Sequence, residues 1–258
     1  MSVSVTHDQG VATFTLNRPE TRNAFDDAVI AALTAAYHAA SADPAVRAVL
    51  LRAEGPVFCS GADLTWMRRM AAYGSDENFT DAMHLSALLH IIDTCPKPTL
   101  ARVHGSAFAG ALGLLAASDI VVAVPEAQFA ITEVRIGLIP AVISPYLVRT
   151  MGARQARRYF LTAERFSAQT ALELGLVHQV VSAETLDATI AGHLEALTAA
   201  GPQALTAAKQ LVAAVDGPIT PAVMEETARR IANQRAGAEG QEGLAAFLEK
   251  RKPNWGGA

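Results

Sequence analysis

The stretch VRAVLLR, at residues 46–52, decides the fold. It is a short run of aliphatic and β-branched residues with an Asp-Pro step before it and a Glu-Gly-Pro step after it, which is the pattern of a strand buried on both faces. Apolar residues recur at helical spacing in the preceding segment, from Phe25 to Tyr37, so an amphipathic helix is predicted there. A strand is predicted before that helix, at residues 11–16, and the three elements together make a βαβ crossover.

The same kind of pattern continues on both sides of this unit. Residues 3–6 and 11–16 alternate apolar and polar side chains around a Gly-containing turn, which predicts an N-terminal β-hairpin. Short apolar runs predict three more strands, at residues 98–103, 120–124 and 128–131. The apolar segment from Ala107 to Ala117 is predicted to be a buried helix, so the crossover unit repeats.

Helical periodicity dominates the chain beyond Pro145. Helices are predicted at residues 146–151, 153–162, 168–174, 186–199, 202–215 and 221–250. Strands therefore come first and helices afterwards, without a Pro-rich or charged linker that would separate two cores. This order predicts an α/β fold with a helical C-terminal region.

The composition is that of a globular protein, because 51% of the 258 residues are hydrophobic and 18% are charged. A net charge of −4 without a basic stripe makes nucleic acid an unexpected partner. The first ten residues lack the basic and apolar regions of a signal peptide. The longest apolar stretch, residues 107–117, has about half the length of a membrane span. We therefore expect a cytoplasmic protein without a membrane partner, and two cysteines that stay reduced.

Two turns rich in glycine and small residues stand where a strand is predicted to meet a helix. They are FCSGADL at residues 58–64 and VHGSAFAG at residues 103–110. Such a turn leaves backbone N–H groups unpaired, and these can hold an anion or a developing oxyanion. The alternative interpretation is that both are tight turns whose small residues serve only close packing, and composition alone does not separate the two.

Five segments, taken in order, carry a resemblance to a known family: Asn17-Arg18-Pro19 with Asn23-Ala24-Phe25, Phe58 to Leu64, Val103-His104-Gly105 with Ser118-Asp119, Glu133 with Ile136 to Pro140, and Leu161 to Ala163 with Gly175 to Val177. They resemble the crotonase, or enoyl-CoA hydratase/isomerase, superfamily over nearly the whole chain. Two more segments, residues 139–146 and 157–164, are most similar to the bacterial methylglutaconyl-CoA hydratase group of leucine breakdown.

The resemblance implies an α/β fold in which residues 1–198 form a crotonase-like spiral of βαβ units and residues 199–258 form a helical trimerisation region. It implies an acyl-CoA thioester substrate, no cofactor beyond the CoA of that substrate, and a homotrimer or homohexamer. The family's oxyanion hole falls on the backbone N–H groups of Ala62 and Gly110. The positions expected to contact the substrate are Ser60, Asp63, Leu64, Thr65 and Gly113. For the Asp63 side chain, an N-cap of the following helix is the alternative role.

Glu133 matches the family's second catalytic carboxylate, and we expect Phe129, Ile136 and Leu138 to enclose it and raise its pKa. A solvated loop glutamate is the other interpretation. The family's first catalytic glutamate falls on Gly113, so this sequence has no acid there. Activation of water would then need Glu133 alone, a neighbouring side chain, or a second water in the space over Gly113. The other expectation is that the glycine enlarges the acyl pocket.

The resemblance thus predicts a hydro-lyase acting on a 2-enoyl-CoA. Two alternatives remain, an enoyl-CoA isomerase with one catalytic glutamate and a non-catalytic acyl-CoA-binding protein. The seven histidines show no metal-ligand spacing, so no metal is expected. The apolar residues Ile231, Leu244 and Phe247 of the C-terminal region are more than a solvent-facing tail should carry.

Overall fold

The computed structural model describes residues 2–255. The strands are β1 (Val3–Asp8), β2 (Val11–Leu16), β3 (Ala48–Ala53), β4 (Thr99–Val103), β5 (Ala107–Phe108), β6 (Ile120–Ala123), β7 (Gln128–Ala130), β8 (Phe166–Ser167) and β9 (Gln179–Val180). The α-helices are α1 (Asp27–Ala42), α2 (Leu64–Met70), α3 (Ser75–Thr94), α4 (Ala111–Ala116), α5 (Ser144–Thr162), α6 (Ala168–Glu173), α7 (Ala183–Ala199), α8 (Pro202–Val215), α9 (Pro221–Ala236) and α10 (Ala238–Leu248). Short 3₁₀ helices span Pro19–Thr21 and Glu133–Ile136.

The larger sheet has the strand order β1-β2-β3-β4-β6-β9. The hairpin of β1 and β2 is antiparallel, and every later pairing in this sheet is parallel. Parallel neighbours need crossover connections, and these are supplied by α1 between β2 and β3 and by α2 and α3 between β3 and β4. The predicted βαβ units are therefore confirmed.

A smaller sheet of three strands, in the order β5-β7-β8, stands beside the larger one. β5 pairs with β7 in parallel, with Ala107 opposite Phe129 and Phe108 opposite Ala130. This pairing corrects the prediction of a continuous helix from residue 107 to 117. Its first two residues form a strand because their backbone N–H and C=O groups find partners in neighbouring extended segments, and α4 begins only at Ala111.

The core lies where the helices cover the larger sheet. In β3, the side chains of Val49 and Leu51 are fully buried, as the unbroken apolar run predicts. Tyr37 of α1 packs edge-on against Phe14 of β2, with 4.9 Å between the ring centroids. The helix α1 begins at Asp27, two residues after the start of the predicted period, because Phe25 forms an extended bridge with Ala62. The side chain of Asp26 caps the helix by accepting a hydrogen bond from the Val29 N–H at 2.9 Å.

The predicted C-terminal helices form, with two differences in their boundaries. Residues 221–250 make two helices, because the chain is extended at Gly237 between α9 and α10. The two helices predicted at residues 146–162 form one element, α5, with a kink at Gly152, whose φ is +75°.

Side chains fasten α8 to the larger sheet and its connections. The ammonium of Lys209 donates to Asp119 Oδ2 at 2.8 Å, and the hydroxyl of Thr206 donates to the Pro96 carbonyl at 2.7 Å. α9 and α10 pack on α8 and on each other. Several apolar side chains of this region stay exposed, among them Ile219, Phe247 and Leu248. Across residues 2–255, no helix is long and apolar enough to cross a membrane.

Candidate active site

The two glycine-rich turns lie side by side. Cys59 and Ala107 form an isolated parallel bridge. The N–H groups of Phe58 and Cys59 donate to the Ser106 carbonyl at 3.1 and 3.3 Å, and the Phe108 N–H donates to the Cys59 carbonyl at 3.0 Å. Backbone pairing between residues that are almost 50 positions apart thus holds the first turn (residues 58–63) against the second turn (residues 106–110).

The first turn needs glycine at position 61. The φ of Gly61 is +93°, and an added Cβ would lie 3.1 Å from both the Cβ of Ala109 and the carbonyl oxygen of Phe108. The chain can therefore pass close to the second turn. Ala62 follows, and within residues 2–255 no acceptor takes a hydrogen bond from its backbone N–H.

The second turn contains an alanine in the left-handed region. The φ of Ala109 is +52°, which is unfavourable for a residue with a side chain, and its N–H donates to the Ala130 carbonyl at 2.9 Å. Gly110 then caps the N-terminus of α4, and its N–H also has no acceptor in the described part of the chain. Both turns thus end in an unpaired N–H at a partly accessible residue.

Phe25 connects the two turns. Its N–H donates to the Gly61 carbonyl and its carbonyl accepts from the Asp63 N–H, both at 2.9 Å. Its ring packs on Gly110, where an added Cβ would lie 2.6 Å from Cζ. The position of the ring therefore requires glycine at residue 110. Gly110 thus serves close packing and also has an unpaired N–H, so the two interpretations of the turn do not exclude each other.

The Asp63 side chain is an N-cap. Its Oδ1 accepts from the Thr65 and Trp66 N–H groups at 2.8 and 3.3 Å, which fixes the start of α2. Burial would raise the pKa of Asp63, but hydrogen bonds from Thr65, Trp66 and Arg18 hold this pKa below its ordinary value. Both oxygens are used within the protein, so any contact of Asp63 with substrate is left to its backbone.

The other positions of this turn differ in accessibility. Leu64 and Thr65 are exposed, as residues along the arm of a bound CoA ester would be. The Ser60 N–H donates to the Arg22 carbonyl at 3.0 Å, and its hydroxyl donates to the Thr21 carbonyl at 3.4 Å. Their roles in substrate binding stay predictions.

Glu133 opens the short 3₁₀ helix after β7 and is half-buried. β7 pairs with β5, and the Ala130 carbonyl at the end of β7 accepts from the Ala109 N–H of the second turn. Glu133 follows Ala130 by three residues. Burial raises the pKa of Glu133 against the opposing effect of the backbone amides of Glu133 and Thr132. The expected raised pKa is therefore confirmed.

One oxygen of this carboxyl, Oε2, is buried and has no hydrogen-bond partner among residues 2–255. A solvated loop glutamate would have water at both oxygens, so this geometry favours a group kept ready for a ligand. The predicted enclosure needs correction, since Ile136 and Leu138 are 58% and 53% exposed and leave that side open in a single chain.

The space beside Gly113 is filled. An added Cβ on Gly113 would lie 2.5 Å from Cγ2 of Ile143 and 3.0 Å from Cδ1 of Leu89. Both side chains are buried. The expectation of an enlarged pocket, or of a second water above Gly113, is therefore wrong in the direction a side chain would take. Ile143, at the start of α5, thus fills the space into which a side chain at position 113 would point.

Three features of the site were not predicted from the sequence. The contact between Ile143 and Gly113 joins residues 30 positions apart and has no local signal. The left-handed conformation of Ala109 could not be predicted from the sequence either, because alanine is not a residue that typically adopts it. Arg18 belongs to the quoted Asn-Arg-Pro segment, but nothing in that segment indicated that its guanidinium reaches Asp63, as it does at 2.9 Å.

Within residues 2–255, no three His, Cys, Asp or Glu side chains are grouped as a metal site would need. Cys59 and Cys95 are free and buried, and burial raises the pKa of Cys59 to about 12.

Comparison with known proteins agrees with this geometry. The family model described as enoyl-CoA hydratase/isomerase matches residues 6–258. A crystal structure of an enoyl-CoA hydratase from Shewanella pealeana is 44% identical, covers 99% of this chain and 96% of its own, and superposes with a TM-score of 0.96. AtuE of Pseudomonas aeruginosa is 38% identical, with 99% of each chain covered and a TM-score of 0.94.

An enoyl-CoA hydratase of Alternaria alternata is 35% identical over 250 residues, which are 94% of this chain and 80% of that protein. The mixed α/β architecture with its crossover strands matches these crotonase-fold structures. The chain belongs to the enoyl-CoA hydratase/isomerase family.

Proposed function

We propose that the protein is a hydro-lyase that adds water to a 2-enoyl-CoA thioester. The observation that carries this proposal is the pair of unpaired N–H groups, on Ala62 and Gly110, in two turns that are paired through their backbones. A carboxyl with a buried free oxygen, that of Glu133, follows the strand β7 that pairs with β5 of the second turn. Two such N–H donors suit the carbonyl oxygen of a thioester, which becomes negative when the conjugated double bond is attacked. Relatives whose printed names say enoyl-CoA hydratase support the same reaction.

The proposed steps balance with one acid/base. The Glu133 carboxylate removes a proton from water while the water oxygen bonds to C3 of the substrate, and the electron pair of the double bond moves onto the carbonyl oxygen. The N–H groups of Ala62 and Gly110 stabilise this enolate. The protonated Glu133 then delivers its proton to C2, which restores the carbonyl. A carboxyl with a raised pKa suits both halves of this transfer near neutral pH.

The acyl group we propose is a methylglutaconyl group, as in leucine breakdown. The support is the similarity of residues 139–146 and 157–164 to that hydratase group. A panel of 2-enoyl-CoA esters tests it, with crotonyl, methylcrotonyl and methylglutaconyl groups. The methylglutaconyl ester should show the largest kcat/KM, and a larger value for crotonyl-CoA would refute this substrate.

Absorbance of the conjugated thioester is the direct assay of hydration. The wild-type protein should remove that absorbance on mixing with a 2-enoyl-CoA. Glu133→Gln should lower kcat by about 100-fold or more while it leaves binding of the ester nearly unchanged, because the amide keeps the size and loses the proton transfer. A Glu133→Gln protein with more than about a tenth of wild-type turnover would contradict the assignment.

An enoyl-CoA isomerase is the second candidate, and the contact of Ile143 with Gly113 favours it. With an apolar side chain in place of a second carboxylate, only Glu133 remains to move a proton. One carboxyl is enough to carry a proton between two carbons of one substrate. Appearance of conjugated absorbance from a 3-enoyl-CoA would show isomerisation. Tight binding of the esters without either change would instead show a non-catalytic acyl-CoA-binding protein.

We also propose that residues 199–258 pack against other copies of the chain in a homotrimer or homohexamer. Ile219 and Phe247 are 85% and 81% exposed, which is more apolar surface than a helical region of a monomer needs to show. Light scattering should give at least three times the chain mass of 27.1 kDa. A mass of one chain at micromolar concentration would refute the assembly. The cytoplasmic location stays a prediction.

A further inference from the structure

Arg18 joins the loop after β2 to the first turn of the site. Its side chain is 21% exposed. Nη1 donates to the Ala24 carbonyl at 2.9 Å and to Asp26 Oδ2 at 3.0 Å, and Nη2 donates to Asp63 Oδ2 at 2.9 Å. One planar guanidinium therefore bridges two carboxylates from separate parts of the chain, which a single ammonium group does not match.

Asp63 is the residue directly after Ala62, so its position affects the Ala62 N–H. Its Oδ1 is taken by the N–H groups at the start of α2, and its Oδ2 is taken by Arg18. Its own N–H donates to the Phe25 carbonyl. Every polar group of Asp63 that could turn with the peptide plane is therefore held, and Arg18 supplies the charged contact among these.

The loop that carries Arg18 is itself firmly held. The Arg18 N–H donates to Asn23 Oδ1 and the Asn23 N–H donates to the Arg18 carbonyl, both at 2.9 Å. The Asn23 amide Nδ2 donates to the carbonyls of Glu54 and Val57 at 2.7 and 2.8 Å, next to the first turn. Arg18 thus transmits the position of a fixed loop to Asp63.

We propose that Arg18 is a positioning residue for the oxyanion hole, acting on the Ala62 N–H through the Ala24–Phe25 peptide and through Asp63. This inference rests on the proposed use of that N–H. The Ala62 N–H shares a peptide plane with the Gly61 carbonyl, which accepts from the Phe25 N–H. The Phe25 N–H in turn shares a peptide plane with the Ala24 carbonyl, which accepts from Arg18 Nη1. Loss of the guanidinium removes that contact and leaves the carboxylates of Asp26 and Asp63 without their shared cation. The Gly61–Ala62 peptide then loses restraint both from Phe25 and from Asp63. Stabilisation of a developing oxyanion depends steeply on the placement of its donors, so an error of about 1 Å costs on the order of 100-fold in rate.

The test measures polarisation of a bound carbonyl apart from water addition. The probe is a chromophoric thioester, 4-dimethylaminocinnamoyl-CoA, whose absorption moves to longer wavelength when its carbonyl oxygen accepts strong hydrogen bonds. The variants are Arg18→Gln and Asp63→Asn. The second variant keeps a side-chain oxygen for the N-cap but loses the charge that Arg18 pairs with. The matched control is Arg102→Gln, whose side chain is 17% exposed and forms its ion pair with Asp187 of α7, outside the network of Asp26 and Asp63.

At saturating probe, we expect a smaller red shift in both variants than in the wild type, and the wild-type shift in Arg102→Gln. With a 2-enoyl-CoA, kcat should fall by about 10-fold to 100-fold while KM changes by less than about 3-fold. Arg18→Lys should recover only part of the shift, because it cannot bridge both carboxylates.

Several results would overturn the inference. An unchanged red shift in folded Arg18→Gln would do so, and so would equal losses in the Arg102→Gln control. Failure of both site variants to fold would assign the network to stability alone. A wild-type protein that shifts the probe but hydrates no enoyl-CoA would refute the proposed reaction and still leave the role of Arg18 measurable.

Discussion

Gly113→Ala tests the packing of Ile143 and Leu89 against position 113. The added methyl group would lie 2.5 Å from Cγ2 of Ile143, 3.2 Å from its Cβ and 3.0 Å from Cδ1 of Leu89. Overpacking of a buried site typically costs about 1 to 3 kcal/mol, and two contacts at or below 3.0 Å place this change near the upper end. Alanine regains about 1 kcal/mol of helix propensity. The free energy of unfolding should therefore fall by about 2 kcal/mol, which for a chain of this size lowers Tm by about 4 to 8 °C.

Thermal unfolding at one fixed protein concentration is the measurement, with two reference variants. Gly192 lies in α7, and an added Cβ there would meet nothing within 4 Å. Gly192→Ala should therefore raise stability by up to about 1 kcal/mol. Ile143→Ala alone should cost about 2 to 5 kcal/mol by leaving a cavity.

In the Ile143→Ala background, the penalty of Gly113→Ala should become smaller, because the 2.5 Å contact with Cγ2 is removed while the 3.0 Å contact with Cδ1 of Leu89 stays. The packing argument is refuted if Gly113→Ala raises Tm as Gly192→Ala does, or if its penalty is the same in both backgrounds.

Two more predictions concern charge. Burial raises the pKa of Glu133 in the folded chain above its ordinary value of 4.5. Ionisation of Glu133 therefore destabilises the fold as the pH rises above about 4.5. In chemical unfolding, Glu133→Gln should be more stable than the wild type at pH 7 and equal to it below about pH 4. Equal stability at both pH values would contradict this. Lys209→Met should lower the free energy of unfolding by about 1 kcal/mol, because it breaks the partly buried pair with Asp119. Arg229→Met breaks an exposed pair with Glu225 and should lower it by less than about 0.5 kcal/mol. Equal losses would show that burial of the pair is irrelevant.

The fold was largely predictable because its signals are local. The run at residues 46–52, the hairpin before it and the helical periods after Pro145 each reflect burial along one element. The wrong predictions of secondary structure lie where a segment pairs with backbone that is distant in the sequence. Ala107 and Phe108 were predicted to start a helix, but β7 offers them a partner and they form a strand. Gly237 gave no clear sign of a break within the predicted last helix.

The candidate site was predictable where it depends on residue type and not where it depends on packing. The two turns could be selected from their residue types, because glycine-rich turns have recognisable uses. Glu133 was selected through the family resemblance, since its residue type alone also fits a solvated loop. The side chains that fill the space beside Gly113 could not be predicted, since a glycine does not indicate which residue packs against it. Only the fold shows that Ile143 is among them.

The pairing of the two turns through the Cys59 and Ala107 bridge has an evolutionary consequence. Both proposed donors are main-chain groups, and substitution of Ala62 by any residue other than proline leaves its N–H in place. Point mutation of Ala62 itself therefore leaves its proposed donor in place, whereas Gly61 and Gly110 do not have that freedom. The proposed pair of donors is thus inherited with the topology and with these two glycines. Side chains around this pair, such as Glu133 and Ile143, remain free to diverge. New reactions can arise on this scaffold by changing where a proton is taken and returned, while the means of stabilising the charge is kept.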